Sequence, residues 1–362
     1  MNIFFNINKT DIKVRKECIV CYSKNLSKIS SIYYKNKFVF FSTSICKTCG
    51  FIFRDNHPSN NWFRKQYEKR SAHQLNKNIG IDVNYEEFRV SRYKKLLNFL
   101  EKKIKFKNVI DIGCATGLGL KVFKDRNYKV LGIDTDKTRI RFGKKKKLNL
   151  KNTDIYKLEQ KNKFDLALCI HTLEHFTNPE IALNKIVKFL SKDSHIYIEV
   201  PDFKNLVRTW DDSIYLAHIS NFSENNLIYF LKKFDLKPLF RTYPQTENGE
   251  INLGILCKFT PLIKKRLNIK KKLKLPKIDN YKLVGKNRIL SIPYKVNLEI
   301  LNDISFAYKF FNKKKNNKLE QNFKRKLVFN KLIKKYEIDK NLTYFKTKKI
   351  SFHKKMKNKI IS

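Results

Sequence analysis

Short apolar runs alternate with amphipathic helical segments between residues 108 and 200. The strand-like runs are 108–112, 129–134, 164–170 and 195–200, and the helical stretches between them are 118–126, 137–147 and 179–190. Strands separated by helices usually run in the same direction, so this order predicts a parallel sheet with helices on both faces. The last helix has clear start signals, because Asn178 can cap it and Pro179 fits its first turn.

The flanking segments extend this α/β pattern. An amphipathic helix over 84–103 leads into the first strand, and a third strand is expected to end near Asp154. After residue 200, a helix over 224–234 precedes two more strand candidates, 238–243 and 251–257. Seven strands are therefore available for one doubly wound sheet.

Four of the seven cysteines form two closely spaced pairs near the start of the chain. The pairs are Cys18 with Cys21 and Cys46 with Cys49, each separated by two residues. This spacing is typical of zinc knuckles, in which four thiolates surround one ion and leave no open coordination position. Disulfides are the alternative, and a reducing compartment would disfavour them. With strand-like residues between the pairs, the sequence predicts a zinc ribbon with a structural metal.

The charge balance is extreme, because 79 Lys plus Arg face only 32 Asp plus Glu, for a net charge of +47. Such a charge attracts nucleic acid, anionic lipid or anionic metabolites. A second interpretation stays open: Lys, Asn, Ile, Phe and Tyr all have A/T-rich codons, so genome composition alone could raise the lysine count. The excess is steepest in residues 261–362, which hold 31 basic and 6 acidic residues.

These observations predict three segments. Residues 1–75 are expected to form the zinc ribbon, 76–260 the α/β domain, and 261–362 a lysine-rich extension that is partly helical. A hydrophobic content of 42% excludes wholesale disorder. No apolar run reaches the roughly 18 residues that span a bilayer, and residues 1–11 are too short and polar for a secretory signal. We therefore expect a soluble, cytoplasmic chain whose oligomeric state the sequence does not fix.

The residues with a chemical role begin where the first strand ends. Asp111, Gly113, Ala115 and Gly117 make a tight turn that brings backbone amides to the start of a helix. Seventeen residues after Gly117, Asp134 ends the second strand, where a carboxylate can accept both hydroxyls of a ribose. An acid at position 111 would repel a pyrophosphate and favours a cationic ligand instead.

These motifs resemble class I S-adenosylmethionine-dependent methyltransferases, whose ligand carries a sulfonium and an amino group. The segment Asp-Ile-Gly-Cys-Ala-Thr-Gly is similar to the glycine-rich first motif of that family, with Ala115 where glycine is commoner. The resemblance implies that Asp134 binds the ribose and that Asp154 and Ile155 contact the adenine. It also implies a Rossmann-like sheet of seven strands, the seventh antiparallel. The segment from His171 to Phe176 is similar to the family's Leu-Glu-His signature after strand four.

The cysteine ribbon and the segment Tyr215 to Ser223 together are similar to zinc-containing sugar C-methyltransferases. That resemblance implies that Tyr215 and His218 lie beside the acceptor, although Ala217 stands where the group has a glutamate. A looser set of small-molecule methyltransferases shares the histidine and the Phe-Ser pair. His171 and His175, which follow the fourth strand, are further candidate bases, since a histidine with a pKa near neutrality suits proton transfer. For His175, packing at the helix entry is an equal alternative.

Three functions follow from these patterns. The first is methyl transfer to a small, anionic metabolite such as a nucleotide-linked sugar or a glycan precursor. The second is RNA methylation, with docking through the basic surface; the absence of an Asn/Asp-Pro-Pro-aromatic loop after strand four argues against it. The third is a non-catalytic binding module that keeps the fold, against which the intact Asp111, Gly113, Gly117 and Asp134 argue.

Overall fold

The computed structural model describes residues 12–34, 39–76, 83–160, 163–203, 217–244 and 252–261, together with two short strands at 282–283 and 289–291. Tyr215 and nearly all of the basic extension lie outside the described residues, so the predictions made for them stay predictions. Among the helices that are described, none is long and apolar enough to cross a lipid bilayer.

A seven-stranded sheet forms the centre of the molecule, with the strand order β12-β13-β10-β9-β6-β7-β8. The strands are β6 (Asn108–Ile112), β7 (Lys129–Asp134), β8 (Leu150–Asn152), β9 (Phe164–Ile170), β10 (Leu190–Pro201), β12 (Leu236–Thr242) and β13 (Asn252–Phe259). The first five pair in parallel, and β13 runs antiparallel to both β10 and β12. The predicted α/β Rossmann-like fold with an antiparallel seventh strand is confirmed.

Helices connect and cover these strands. They are α2 (Val83–Glu101), α3 (Leu118–Lys124), α4 (Lys137–Lys145), α5 (Pro179–Lys188) and α6 (Glu224–Lys232). Asn178 caps α5 by accepting from the Ile181 amide, at 3.2 Å, as its sequence predicts. A further helix, α1 (Asn60–Asn76), precedes α2 and was not predicted, because its apolar residues show little helical periodicity.

The N-terminal residues form a small sheet packed against the large one, and we call this sheet with the cysteine-bearing turns the ribbon. Its order is β11-β4-β3-β2, from β2 (Leu26–Tyr34), β3 (Val39–Cys46), β4 (Ile52–Arg54) and β11 (Ser220–Asn221). A separate pair joins β1 (Ile12–Val14) to β5 (Asn56–Pro58). Strand β11 follows β10 of the large sheet in the chain but pairs with β4, so a segment from the α/β part of the sequence completes the small sheet.

One hydrophobic core runs through both sheets. Buried ribbon residues such as Cys18, Phe51 and Phe53 belong to the same hydrophobic cluster as Phe222, which directly follows β11, and Phe230 of α6. The Phe51 and Phe222 rings lie 5.1 Å apart, and the Asn226 amide donates to the Cys49 carbonyl at 2.9 Å. Burial of this continuous apolar surface holds the ribbon on the body.

Candidate functional site

The turn after β6 places its backbone in the left-handed region at three positions. Gly113, Ala115 and Gly117 have φ values of 80°, 52° and 73°. A Cβ on Gly113 would collide with the Thr172 side chain, so glycine is required there by both conformation and space. Ala115 tolerates the same conformation at a cost of about 1–2 kcal/mol. The turn lies at the edge where the parallel strands end, which we call the carboxyl edge.

Asp111 is buried beneath this turn, with 1% of its surface exposed. The Tyr93 hydroxyl donates to its Oδ2 at 2.8 Å, whereas its Oδ1 has no hydrogen-bond partner among the described residues. Burial raises the pKa of Asp111 to about 7, although the Tyr93 hydroxyl and the Arg89 guanidinium lower it. A buried carboxylate oxygen with no donor is suited to a cationic or hydrogen-bond-donating ligand.

Asp134, at the end of β7, is bound to the same turn. Its Oδ2 accepts from the Ala115 amide and its Oδ1 from the Asp136 amide, both at 2.8 Å. Burial raises the pKa of Asp134, and these two amide hydrogen bonds lower it. Each carboxylate oxygen keeps a second lone pair, so the group can still accept from a ligand hydroxyl.

The predicted adenine-side residues follow β8, next to β7 at the same edge. Asp154 Oδ1 accepts from the Lys157 amide at 2.9 Å, and its Oδ2 lies 3.4 Å from the Asn60 amide nitrogen at the start of α1. Ile155 is buried. The structure thus brings Asp111, Asp134 and the 154–155 pair to one edge, as their order in the sequence predicts.

Helix α2 adds polar residues that sequence reasoning missed. The Thr116 hydroxyl donates to Glu86 Oε2 at 2.6 Å, and the Arg89 guanidinium donates to the Cys114 carbonyl at 3.1 Å. Glu86 and Arg89 form an ion pair of 3.3 Å beneath the glycine turn. Charged residues three positions apart on the apolar face of the lead-in helix are the signal that could have revealed them.

His171 follows β9 and lies between two buried carboxylates. Its Nδ1 is 3.5 Å from Glu174 Oε1, and its Nε2 is 3.2 Å from Glu199 Oε1. Burial lowers the pKa of His171, but the two carboxylates outweigh this effect and raise it to about 9. Arg92 also pairs with Glu199. A histidine held as imidazolium near neutral pH is a poor general base, so the geometry disfavours His171 for that role.

His175 and His218 meet at the carboxyl edge beside Glu174. Their ring centroids are 4.9 Å apart, and the Glu174, His175 and His218 ligand atoms lie within 4.8 Å of one another. His175 Nδ1 donates to the Ala217 carbonyl at 2.8 Å, which leaves Nε2 as the basic nitrogen of the neutral ring. The structure therefore brings together the two predicted histidines.

The four predicted metal-ligand cysteines also converge. The Sγ atoms of Cys18 and Cys49 are 3.6 Å apart, those of Cys21 and Cys46 are 3.4 Å apart, and all four lie within 4.8 Å of one another. A tetrahedral zinc with Zn–S bonds of about 2.3 Å has sulfur atoms roughly 3.8 Å apart, so the donor set fits that ion. The cysteines are free thiols, so the geometry does not favour the disulfide alternative.

Two basic side chains, those of Lys233 and Arg15, lie near the cysteine cluster. Lys233 donates from Nζ to the Ile19 carbonyl at 2.8 Å and lies 3.7 Å from the Tyr22 ring centroid. Burial lowers the pKa of Lys233, while Glu180 and the cysteines raise it. Arg15 donates to the Thr177 carbonyl at 2.8 Å, and its guanidinium interacts electrostatically with Cys18. Basic groups at these positions would offset the negative charge of a four-thiolate metal site.

Comparison with known proteins places the central segment in a family. Residues 85–239 match a family described as "Methyltransferase domain". The chain is similar to a ubiquinone biosynthesis O-methyltransferase of Rickettsia typhi, with 26% identity over 138 residues that cover 36% of this chain and 52% of the relative. It is also similar to a probable (S)-tetrahydroprotoberberine N-methyltransferase 2 of Papaver bracteatum, with 29% identity over 101 residues, 25% of this chain and 28% of that protein.

Among solved structures, the N-methyltransferase NodS of Bradyrhizobium japonicum in complex with S-adenosylhomocysteine matches with 17% identity and a TM-score of 0.42. That match covers 53% of this chain and 98% of NodS. The chain spans about half the length of the first curated relatives it matches. Residues 85–239 thus match a methyltransferase domain, and the seven-stranded sheet that they contribute to is the fold that the sequence motifs predict.

Proposed function

We propose that this protein transfers a methyl group from S-adenosylmethionine to a small, anionic metabolite such as a nucleotide-linked sugar or a glycan precursor. The observation that carries the methyl-donor part of the proposal is the buried Oδ1 of Asp111, which has no donor among the described residues and lies beneath the glycine turn. The curated relatives are named for an O-methyltransferase and a probable N-methyltransferase, which supports a small acceptor without fixing its reacting atom.

The acids at the carboxyl edge fit the donor's separate parts. Asp111 would bind the cationic amino-acid portion, and Asp134 the ribose hydroxyls through its remaining lone pairs. Asp154 and Ile155 would contact the adenine, with Ile155 packing on the ring. The amides of the turn that includes Gly113, Ala115 and Gly117 would allow close approach of the ligand to the backbone.

S-adenosylmethionine supplies a methyl group on a positively charged sulfur, which is displaced in line by the acceptor. The chain must therefore orient the acceptor and remove its proton where the acceptor needs deprotonation. We assign proton removal to His218, with the Nε2 of His175 as the second candidate. Glu174, whose Oε1 lies 3.7 Å from that nitrogen, would stabilise the imidazolium that forms. Tyr215 is proposed as an acceptor contact from its sequence position alone.

We also propose that Cys18, Cys21, Cys46 and Cys49 hold one structural zinc ion. The thiol spacing and the neighbouring Lys233 and Arg15 support this assignment. A cytoplasmic location would keep these cysteines reduced and available to the metal. RNA as the acceptor and a non-catalytic role for the fold stay as alternatives.

Calorimetry on metal-replete protein tests the cofactor assignment. Asp134→Asn should weaken binding of S-adenosylmethionine at least about tenfold, because the amide cannot accept both ribose hydroxyls in charge-assisted bonds. The matched control is Asp125→Asn, an exposed acid that pairs with Lys121 away from the carboxyl edge and should leave affinity unchanged. Absence of binding heat in the wild-type protein would refute the proposal.

Transfer of labelled methyl groups to nucleotide-linked sugars tests the assignment of the base. His218→Ala should abolish turnover while leaving the affinity for S-adenosylmethionine nearly intact, because the substitution removes a proton acceptor and no proposed donor contact. Unchanged turnover would exclude His218 as the base. His175→Gln, assayed in parallel, distinguishes the two candidates, because the amide can still donate to the Ala217 carbonyl but cannot take up a proton.

Elemental analysis tests the metal. The wild-type protein should contain one zinc per chain, and Cys46→Ser should lower this content. Cys257→Ser is the control, because Cys257 is equally buried but lies in β13, outside the cluster. Zinc-free wild-type protein would contradict the metal assignment.

A further inference from the structure

Lysines concentrate at the edge of the large sheet opposite the carboxyl edge. The residues that precede parallel strands meet at one edge, and here those residues are strongly basic. We call this surface the basic edge, and it consists of Lys102, Lys103, Lys105, Lys107, Lys124, Arg126, Lys129, Lys144, Lys145, Lys146, Lys147, Lys163, Lys188, Lys192, Lys237 and Lys258. All of them are exposed except Lys258, which is partly exposed.

Contacts between neighbouring loops show that the basic edge is continuous. Lys124 Nζ donates to the Lys147 carbonyl at 2.6 Å, which joins the loops before β7 and β8. The Lys129 amide donates to the Lys107 carbonyl at 3.0 Å, which joins those before β6 and β7. Lys163 donates to the carbonyl of residue 188 and so joins the starts of β9 and β10. The lysines therefore lie side by side along the sheet.

The acids among these lysines offset little of their charge. Glu101 pairs with Arg126, Asp193 pairs with Lys258 at 2.9 Å, and Asp125 pairs with Lys121 at 2.5 Å. Asp165 accepts from the backbone amides of Lys107 and Asn108, both at 2.9 Å. The surface keeps a large positive excess after these pairings.

The carboxyl edge has the opposite character. The residues that directly follow the parallel strands are 113–117, 135–136, 153–156, 171–178 and 202–203, and they contain acids but no lysine or arginine, although Lys137 and Lys157 come next and Arg92 pairs with Glu199 there. A compositional excess of lysine alone would place lysines at both edges. Their concentration at one edge favours a surface that binds a polyanion.

The chemistry of the basic edge favours a lipid headgroup layer over nucleic acid. Its cations are lysines except Arg126, which already pairs with Glu101. Arginine is the residue that binds a phosphate or a base edge through two parallel hydrogen bonds, so the basic edge has few groups suited to recognising nucleic acid. The nearby rings of Phe106 and Tyr128 stack on each other with centroids 4.6 Å apart and are half-buried, which leaves them poorly placed to stack on bases. Lys103 lies 4.9 Å from the exposed Phe240 ring, so an apolar group stands beside the lysines.

We propose that the basic edge docks this protein on anionic lipid bilayers. Lysines near such a surface contribute about 1 kcal/mol each through the negative surface potential. The strands between the two edges are mostly five to seven residues long, so the carboxyl edge would lie roughly 17–23 Å from the lipid at about 3.3 Å per residue. The docked lipid is therefore not the methyl acceptor, which reaches the carboxyl edge from the aqueous side.

Vesicle co-sedimentation of the full chain tests this proposal. Phosphatidylcholine vesicles containing phosphatidylglycerol should bind the wild-type protein, and pure phosphatidylcholine vesicles should not. Replacing Lys144, Lys145, Lys146 and Lys147 together with Gln should weaken binding at least about tenfold. A charge-matched control replaces Lys13, Lys16, Lys24 and Lys65, which are exposed elsewhere, with Gln and should change binding less than about threefold.

Lysine acetylation followed by mass spectrometry locates the contact independently. Anionic vesicles should protect the lysines of residues 102–107 and 144–147 from the reagent and leave Lys13 and Lys16 reactive. Equal losses in the two quadruple variants, or no selective protection, would overturn the proposal. Tighter and steeply salt-dependent binding to an RNA oligonucleotide, with the same protection pattern, would instead assign the basic edge to nucleic acid.

Discussion

At the scale of single residues, Asp111 is the group that we propose binds the cationic portion of the methyl donor. Its buried carboxyl has a pKa near 7, so it is only partly ionised at neutral pH. A positively charged ligand binds the ionised form better, because the carboxylate and the cation attract each other strongly in a buried site. Ligand binding and ionisation of Asp111 are therefore coupled.

This coupling predicts that affinity for S-adenosylmethionine rises with pH. Below the pKa of about 7 most of the protein must lose a proton from Asp111 to bind, whereas above it the carboxylate is already present. Calorimetry should show an affinity gain of up to roughly tenfold from pH 6 to pH 8, with a plateau at higher pH. Asp111→Asn should bind more weakly, with a flat profile over this range. A flat wild-type profile would contradict the coupling.

At the scale of secondary structure, the sequence predicts those elements whose signals are local. The apolar alternation over 108–200 and the start signals at Asn178 and Pro179 identify the sheet and α5. The pairing of β11 with β4 is different, because residues 220–221 and 52–54 are far apart in sequence and share no local pattern. The sequence analysis does not predict helix α1 for a related reason. Its apolar residues show little helical periodicity, so its contacts with the rest of the chain determine its position.

The same division applies to the candidate site. Asp111, Asp134 and Asp154 can be predicted because each follows a strand that is visible in the sequence. Glu86 and Arg89 cannot be assigned in this way, because their role depends on how α2 packs beneath the glycine turn. His171 is similar: the sequence nominates it as a base, whereas the pair of carboxylates supplied by Glu174 and Glu199 raises its pKa.

The interface between the two sheets predicts a large loss of stability on truncating Phe222. This side chain is 1% exposed and packs on Phe51, so Phe222→Ala should lower the free energy of unfolding by about 3–5 kcal/mol. Phe240→Ala, at a ring that is 36% exposed, is the control and should cost less than about 1 kcal/mol. Urea denaturation measures both changes in the free energy of unfolding. Equal losses for the two variants would show that packing of the ribbon on the large sheet adds little to stability.

At the scale of the whole molecule, the ribbon and the methyltransferase domain share one core. Cys18, Cys46 and Cys49 are part of the cluster that includes the strands of the large sheet. Sequence patterns suggest separate units, because the cysteine spacing and the strand-helix alternation are independent signals. The shared core instead predicts that the two parts unfold together, since the buried surface of each completes that of the other.

Metal removal tests this cooperativity directly. The proposed zinc binds the folded ribbon, so a chelator should destabilise the whole body by several kcal/mol. For a body of this size about 4 kcal/mol corresponds to a fall in Tm of roughly 8–16 °C. Differential scanning calorimetry should show one transition before and after chelation, shifted downward as a unit, and readdition of zinc should restore it. Two separate transitions, with only the smaller one sensitive to the chelator, would mean that the ribbon folds independently of the large sheet.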